Sequence, residues 1–345
     1  MSKLNDTQDL RVCFISKIPE NVKNYLVDGL KDLSNVKIKF PKDTSQENLF
    51  KLIKDAQVLI GWRPSFELLE YAESMRIFIN PGAGIHHLLE DFREINQKRK
   101  VILINGHGNS YFVAQHTVAL LLSLMNRIIP HHEWMRQGKW RTGDEDAVSI
   151  PLRFKNVGLL GYGAINKKVH KILSGFNVNF SILRRDWSKK ENSTPTMIKK
   201  YNFNQLHKFL QDIEILIIAV PVTKLTNNLI GVEELQFLGP EGILVNVSRG
   251  EIVNQEALYN VLKTNTIFGA AIDVWYDYNP ESDEQGRRFP YNFPFHQLNN
   301  IILSPHRGYS PFSDLLRWNE VIENIKRITQ KRTDLLNVVD LEEGY

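Results

Sequence analysis

The chain has 345 residues, 42% hydrophobic and 24% charged, a balance that fits a full-sized core and suggests two domains. Its net charge of +4, without a dense basic stripe, argues against a dedicated nucleic-acid binder. Cys13 is the only cysteine, which excludes an intramolecular disulfide or a cysteine metal cluster and points to a reducing compartment.

The opening MSKLNDTQ lacks the apolar region of a signal peptide, and apolar runs such as 118–125 are too short to span a bilayer. A cytoplasmic protein without a membrane partner is therefore expected. Residues 10–16 (LRVCFIS) read as a strand, 22–33 as an amphipathic helix and 36–40 as a second strand. Short apolar strands come next at 56–62, 75–80 and 101–105, with a helix over 65–72. Strands alternating with helices predict a parallel α/β sheet. Three strand ends carry Gly61-Trp62-Arg63-Pro64, Pro81-Gly82-Ala83-Gly84 and Gly106-His107-Gly108-Asn109. Ligands bind beyond the carboxyl ends of such strands, so these loops are candidates to line one pocket. Trp62, Arg63, Ala83, Gly84 and Asn109 are the candidate substrate contacts, and Tyr111 is a further candidate to shape the pocket. Residues 111–137 read as a long, mostly buried helix that Pro130 breaks, and 143–150 as a loop.

The stretch Val157-Gly158-Leu159-Leu160-Gly161-Tyr162-Gly163-Ala164-Ile165-Asn166 dominates the middle of the chain. A short apolar strand meets a glycine turn, then a helix over 164–173 with Ile165, Val169 and Leu173 at i, i+4, i+8 spacing. That is the context in which G-x-G signifies dinucleotide binding. Gly161 permits the tight turn, and Gly163 lets a pyrophosphate approach the backbone at the helix N-terminus. Asn166 replaces the third glycine, which normally serves helix–strand packing. The strand at 178–183 should end in a carboxylate if it binds the ribose hydroxyls of NAD. It ends instead in Arg184-Arg185, whose planar donors suit a 2′-phosphate, with Lys189 and Lys190 nearby and Asp186 as the acid if the register slips. NADP is the expected cofactor and NAD the alternative.

Further strands are expected at 213–220, 242–247, 268–274 and 301–303, a helix at 255–262, a long polar and aromatic loop at 275–297, and a closing helix at 311–330. Arg249 and His306 each come just after a strand end in the half that owns the fingerprint. Hydride transfer at a carbonyl carbon needs a cation to hold the substrate carboxylate and a group titrating near neutrality to exchange a proton. Those are tasks for guanidinium and imidazole.

In this order the segments resemble the D-isomer-specific 2-hydroxyacid dehydrogenases over nearly the whole chain. Asn246-Val247-Ser248-Arg249-Gly250 is similar to the catalytic-arginine segment, Ser304-Pro305-His306 to the catalytic-histidine segment, and Ala114-Gln115-His116-Thr117 to the bridging-helix signature. Asp273, within 271–274, matches the aspartate beside the nicotinamide carboxamide. Ala83 and Gly84 match the loop whose amides hold the substrate carboxylate. The resemblance implies cofactor contacts at Gly161, Gly163, Ala164, Ile165, Asn166, Val220, Pro221, Thr226, Val247 and Ser248, and no metal. It implies an α/β fold of two Rossmann-like, doubly wound parallel-sheet domains. A cofactor domain at 109–308 would be inserted into a flavodoxin-like substrate domain built from 1–108 and 309–345. It also implies a homodimer.

One position departs from the family. A glutamate usually lies five residues after the aspartate, before a proline, and raises the pKa of the histidine. Here that place falls on Tyr278 or Asn279, with Asp277 adjacent, and Tyr278 becomes the third catalytic candidate. The formate dehydrogenase branch also lacks the glutamate, and 130–134 (PHHEW) resembles that branch, whereas the missing acidic selector and Arg307-Gly308-Tyr309 do not. The expected activity is hydride transfer between NAD(P)H and a small 2-oxo acid or D-2-hydroxy acid such as glyoxylate, hydroxypyruvate or pyruvate. Formate oxidation and dinucleotide sensing without turnover are the alternatives. The pairs His86-His87 and His131-His132 do not suggest a metal, since adjacent helical residues point apart.

Overall fold

The computed structural model describes residues 9–141, 145, 147–188 and 193–345. The chain divides into two compact units, one running to Asn109 and resuming over Pro311–Tyr345, the other spanning Ser110–Ser310. The first unit begins β1 (Leu10–Phe14), α1 (Glu20–Leu30), β2 (Val36–Lys39), α2 (Gln46–Ile53), β3 (Val58–Ile60), α3 (Phe66–Tyr71), β4 (Ile77–Asn80), α4 (Leu89–Lys98), β5 (Ile102–Asn105). Its five strands are all parallel in the order β2-β1-β3-β4-β5, the flavodoxin-like arrangement. Strands β3 and β4 are buried at every residue, as strands covered by helices on both faces must be. Helix α1 lays Val22, Leu26 and Leu30, four residues apart, on the sheet.

The second unit carries α5 (Ser110–Met125), α6 (Ile128–Arg136), β6 (Asn156–Leu160), α7 (Ala164–Leu173), β7 (Asn179–Leu183), β8 (Ile198–Tyr201), α8 (Leu206–Gln211), β9 (Ile215–Ile218), α9 (Val232–Phe237), β10 (Ile243–Asn246), α10 (Gln255–Lys263), β11 (Gly269–Ile272) and β12 (Ile301–Leu303). Helix α11 (Asn319–Thr329) then returns to the first unit. The seven strands are parallel in the order β12-β11-β10-β9-β6-β7-β8. The order reverses at β6, which pairs β7 on one side and β9 on the other. This is a doubly wound Rossmann sheet, and β6 is its switch point.

Two expectations are corrected. Pro130 does not break the long helix. The break falls at Arg127, whose left-handed backbone (φ 52°) separates α5 from α6, and the two helices meet at 65°. Pro130 lies in the first turn of α6, where its missing N–H has no intrahelical partner to lose. The closing helix starts later than residue 311: a 3₁₀ turn at Leu315–Trp318 precedes α11, its N-terminus capped by Asp314 accepting from the Leu316 amide at 2.7 Å. No single helix among the described residues is long and apolar enough to cross a membrane.

Candidate active site

Register decides what the second unit brings together. Leu160 pairs with Leu183 and with Ile218, Ile218 with Asn246, Asn246 with Ile272, and Ile272 with Leu303. The last residues of six strands therefore form one line across the sheet. The segments that leave it begin at Gly161, Arg184, Ala219, Val247, Asp273 and Ser304. Residues more than 140 positions apart in sequence thus emerge at one sheet edge, on the ligand side of an open α/β fold.

At the switch point Gly161 has φ +82°, and a Cβ there would meet Val220 Cγ1 at 2.6 Å and the Ala219 carbonyl oxygen at 2.7 Å. Only glycine fits this turn. Nothing lies within 4 Å of a Cβ placed on Gly163, which leaves the N-terminus of α7 open to a ligand. Ala164 starts that helix, and Ile165 packs partly buried on the core behind it. Across β9, Thr226 Oγ1 donates to the Pro221 carbonyl at 2.6 Å and accepts from the Thr223 amide at 2.8 Å, fixing the loop after Val220. Beyond β7 the Arg184 guanidinium stacks 5.1 Å from the Trp187 ring, which also receives Lys200 at 4.9 Å. Asp186 turns back to accept from the amide and hydroxyl of Ser188. Lys189 and Lys190 lie outside the described residues.

The arginine segment is shaped by Asn246. Its Oδ1 accepts from the amide and hydroxyl of Ser248, and its Nδ2 donates to the Arg249 carbonyl at 2.8 Å. Val247 points into the core and Ser248 is buried, leaving half-buried Arg249 as the polar side chain of the segment. Gly250 is required by close approach: a Cβ there would lie 2.5 Å from the Trp275 carbonyl oxygen.

His306 has a left-handed backbone (φ 55°), and its loop is strapped from beneath by Asp273. The carboxylate, 2% exposed, accepts from the Ser304 hydroxyl (2.5 Å) and from the amides of Arg307 (2.7 Å) and Gly308 (2.9 Å). His116 of α5 adds contacts through Nε2, 2.9 Å from Ser304 Oγ and 3.3 Å from Asp273 Oδ1. Burial raises the Asp273 pKa, but these hydrogen bonds outweigh it and hold the carboxyl below its usual range. Trp275 Nε1 donates to the Ser304 carbonyl at 2.8 Å. Among the described residues no carboxylate hydrogen-bonds His306. Its ring lies between those of Tyr278 (5.3 Å) and Tyr309 (5.9 Å). Burial lowers its pKa, the Asp273 charge opposes this, and the Arg249 charge adds to it. Asp277 is turned to the amide of Asn279 at 2.8 Å. Tyr278, half exposed, has its hydroxyl facing the Trp275 amide at 3.4 Å, and burial raises its pKa.

In the first unit, Asn80 ties down the carbonyls of Gly82 (2.5 Å) and Gly84 (3.3 Å), and Asn105 that of Ala83 (3.1 Å). The loop that carries Ala83 and Gly84 is therefore held through its acceptors. Trp62 and Arg63 border a cavity of 290 Å³ at the carboxyl ends of β1 and β3, and Arg63 is itself left-handed (φ 47°). Asn109 ends this unit, and Tyr111 is 55% exposed at the start of the other. Elsewhere, His207, Glu233 and Glu234 gather at metal-ligating distance, a group with no signature in the sequence because its members lie on two separate helical segments. Its atoms are already engaged: Glu234 accepts from His207 at 2.9 Å and from the Gly231 amide at 3.0 Å.

Residues 118–308 match the family described as D-isomer specific 2-hydroxyacid dehydrogenase, NAD binding domain. The chain belongs to this family. A glyoxylate reductase of Thermofilum pendens is 30% identical over 293 residues, covering 80% of each chain. One of Pyrococcus furiosus is 27% identical over 312 residues, covering 87% of this chain and 86% of that protein. A D-isomer specific 2-hydroxyacid dehydrogenase from Xanthobacter autotrophicus Py2, solved with NADPH, shares the fold at TM-score 0.78 and 20% identity over 98% of this chain and all of that one. The dehydrogenase is thus an NAD(P)-linked oxidoreductase acting between 2-oxo and 2-hydroxy acids.

Proposed function

We propose that the protein is an NADP-linked reductase of a small 2-oxo acid, with glyoxylate, hydroxypyruvate and pyruvate as candidate substrates. The reverse reaction would oxidise the matching D-2-hydroxy acid. The observation that carries this reading is the single sheet edge of the second unit, where the Gly161 turn, Arg249 and His306 emerge together. The names of the relatives support the substrate class.

The residues present fit a dinucleotide, since a left-handed glycine turn with open space at Gly163 leads into a ten-residue helix. Gly161, Gly163, Ala164, Ile165 and Asn166 would hold the pyrophosphate. Arg184 and Arg185 would take the adenosine end, and Val220, Pro221, Thr226, Val247, Ser248 and Asp273 the remainder. When bound, the cofactor supplies the hydride. Arg249 holds the substrate carboxylate and stabilises charge developing on the carbonyl oxygen. His306 donates the proton that turns this oxygen into a hydroxyl. Tyr278 flanks the imidazole. The Ala83–Gly84 loop is assigned the substrate carboxylate, and Trp62, Arg63 and Asn109 the substrate side chain.

The units bounded at Asn109 and Pro311 would then serve as substrate domain and cofactor domain. A cytoplasmic location is proposed from the lone, buried Cys13. A homodimer is proposed through α6, which buries no residue and exposes Ile128, Ile129 and Met135.

The test is calorimetric titration with NADPH and NADH, then a panel of glyoxylate, hydroxypyruvate, pyruvate and formate. Tighter NADPH binding and turnover of at least one 2-oxo acid are expected. Turnover of formate alone, or cofactor binding without any turnover, would overturn the reading.

A further inference from the structure

The turn after β6 is held from behind by two side chains of α7 that the fingerprint does not call for. Asn166 fills the third glycine position, and His170 lies one turn later on the same face. Both are fully buried. Asn166 Nδ2 donates to the carbonyls of Leu160 at 3.2 Å and Gly161 at 2.8 Å. His170 is the middle of a longer chain. Its Nδ1 lies 2.7 Å from the hydroxyl of Tyr162, the residue between the two glycines. Its Nε2 lies 2.8 Å from Thr196 Oγ1, and Thr196 Oγ1 donates to the Met197 carbonyl at 3.1 Å.

The last bond sets the direction of the others. Thr196 has one hydroxyl proton and gives it to Met197, so it accepts from His170 Nε2–H. The Nδ1 lone pair of that neutral ring then accepts from the Tyr162 hydroxyl. Burial pushes the imidazole down to about 4, in keeping with this neutral tautomer, and the ring packs 4.0 Å from Phe180 of β7.

A histidine that merely filled the core would be satisfied by any two partners. One of these two, Tyr162, lies on the segment that would receive the pyrophosphate. Thr196 comes just before β8, at the amino-terminal edge of the sheet where Phe180 pairs with Ile198, and anchors the ring from the edge opposite Arg184. Tyr162 is flanked by glycines on both sides, so its backbone would have the most freedom to lose when a ligand orders it.

We propose that Asn166 and His170 form a polar strap that pre-sets the phosphate turn and anchors it to the opposite edge of the sheet through Thr196, with His170 as a positioning residue for the cofactor. This rests on reading the 161–166 turn as the pyrophosphate site. The strap takes over the work of the third glycine by a different route. It draws helix and turn together through hydrogen bonds instead of through close packing.

The experiment compares wild type with Tyr162→Phe, His170→Leu, His170→Asn and Thr196→Val, measuring NADPH and NADH affinity by calorimetry, KM and kcat with a 2-oxo acid, and thermal unfolding. Tyr162→Phe and His170→Leu are expected to weaken both cofactors about five- to tenfold and raise the cofactor KM, with kcat at saturating cofactor unchanged. Thr196→Val removes only the far anchor of His170 and should weaken NADPH and NADH alike, by less than Tyr162→Phe does. His170→Asn offers an Oδ1 in place of Nδ1, so it should retain most of the affinity for both cofactors. Tyr162→Phe keeps the ring and its packing, so the test survives if His170→Leu fails to fold. Affinities within twofold of wild type in Tyr162→Phe, whatever happens to thermal stability, would reduce the strap to ordinary core packing and overturn the proposal. Wild type that bound neither cofactor would overturn this proposal together with the cofactor reading. Wild type indifferent between NADPH and NADH would overturn the 2′-phosphate assignment, while the Tyr162→Phe result would still decide the strap.

Discussion

His306 has two tyrosine rings beside it where a carboxylate partner is usual, and the consequence is a pH profile. Burial lowers its pKa and the Arg249 charge lowers it further, against the opposing pull of Asp273. The net shift is downward from the ordinary value of about 6.5. With His306 as the proposed proton donor, reduction would use the imidazolium, and its rate should fall as pH rises through a value below that ordinary one. Asp277 is occupied by the Asn279 amide, so Asp277→Asn should reproduce the wild-type profile, as should Tyr278→Phe, which keeps the ring. A wild-type rate flat to well above neutrality that collapses only in Asp277→Asn would mean that the partner carboxylate is Asp277 after all. For the neighbouring Arg249, substitution by Ala should cut 2-oxo acid reduction at least about a hundredfold, the scale for losing a charge-stabilising donor, with cofactor affinity retained. Near wild-type turnover would remove Arg249 from its role. At the proposed adenosine end, Arg184→Asp combined with Arg185→Ala should abolish a preference for NADPH, measured as the ratio of the two dissociation constants.

At the scale of elements, Pro130 offers a direct check on where the long helix breaks. Because it occupies the first turn of α6, Pro130→Ala should change stability by less than about 0.5 kcal/mol, read from thermal or urea unfolding. A gain well above that would mean that the proline strains a helix trying to run through. The break itself is hidden in the sequence because Arg127 carries no turn signature, yet it adopts φ 52° with its guanidinium 4.3 Å from the Phe268 ring. The legible elements are those whose apolar pattern is long or uninterrupted, such as β6, α7 and β9. Strand β8 is not among them, because Ile198-Lys199-Lys200-Tyr201 is an edge strand with two exposed lysines and little apolar pattern. Helices α2, α4, α8 and α9 escape a reading of the sequence because they are short, polar at the surface or set among longer apolar runs. The chemistry divides in the same way. Gly161, Arg249 and His306 can be found because each comes just after a strand end. The tie between His116, Ser304 and Asp273, and the chain from Tyr162 to Thr196, cannot, since hydrogen bonds between residues far apart in sequence leave no spacing to read.

At the scale of the whole molecule, the surface of the second unit poses a question that its core does not. Helix α6 has no buried residue, and Ile128 (52% exposed), Ile129 (48%) and Met135 (55%) stand open on it, with Trp140 (73%) shortly after. Ile128 and Met135 are seven residues apart and so share a face of the helix. Apolar groups gathered in this way on one element mark an association surface more often than an ordinary solvated face. A second copy of the chain is the proposed occupant, and an isologous pairing would set each α6 against its counterpart or a neighbour by a twofold axis. The expected outcome is a dimeric mass by light scattering at micromolar concentration. Introducing a charge on this face by Ile128→Glu should convert this to a monomer. Cofactor affinity per protomer should be retained, because none of the residues assigned to the cofactor lies on α6. A wild-type protein that is monomeric at all concentrations, or an Ile128→Glu variant that stays dimeric, would show that α6 is not the surface through which copies pair.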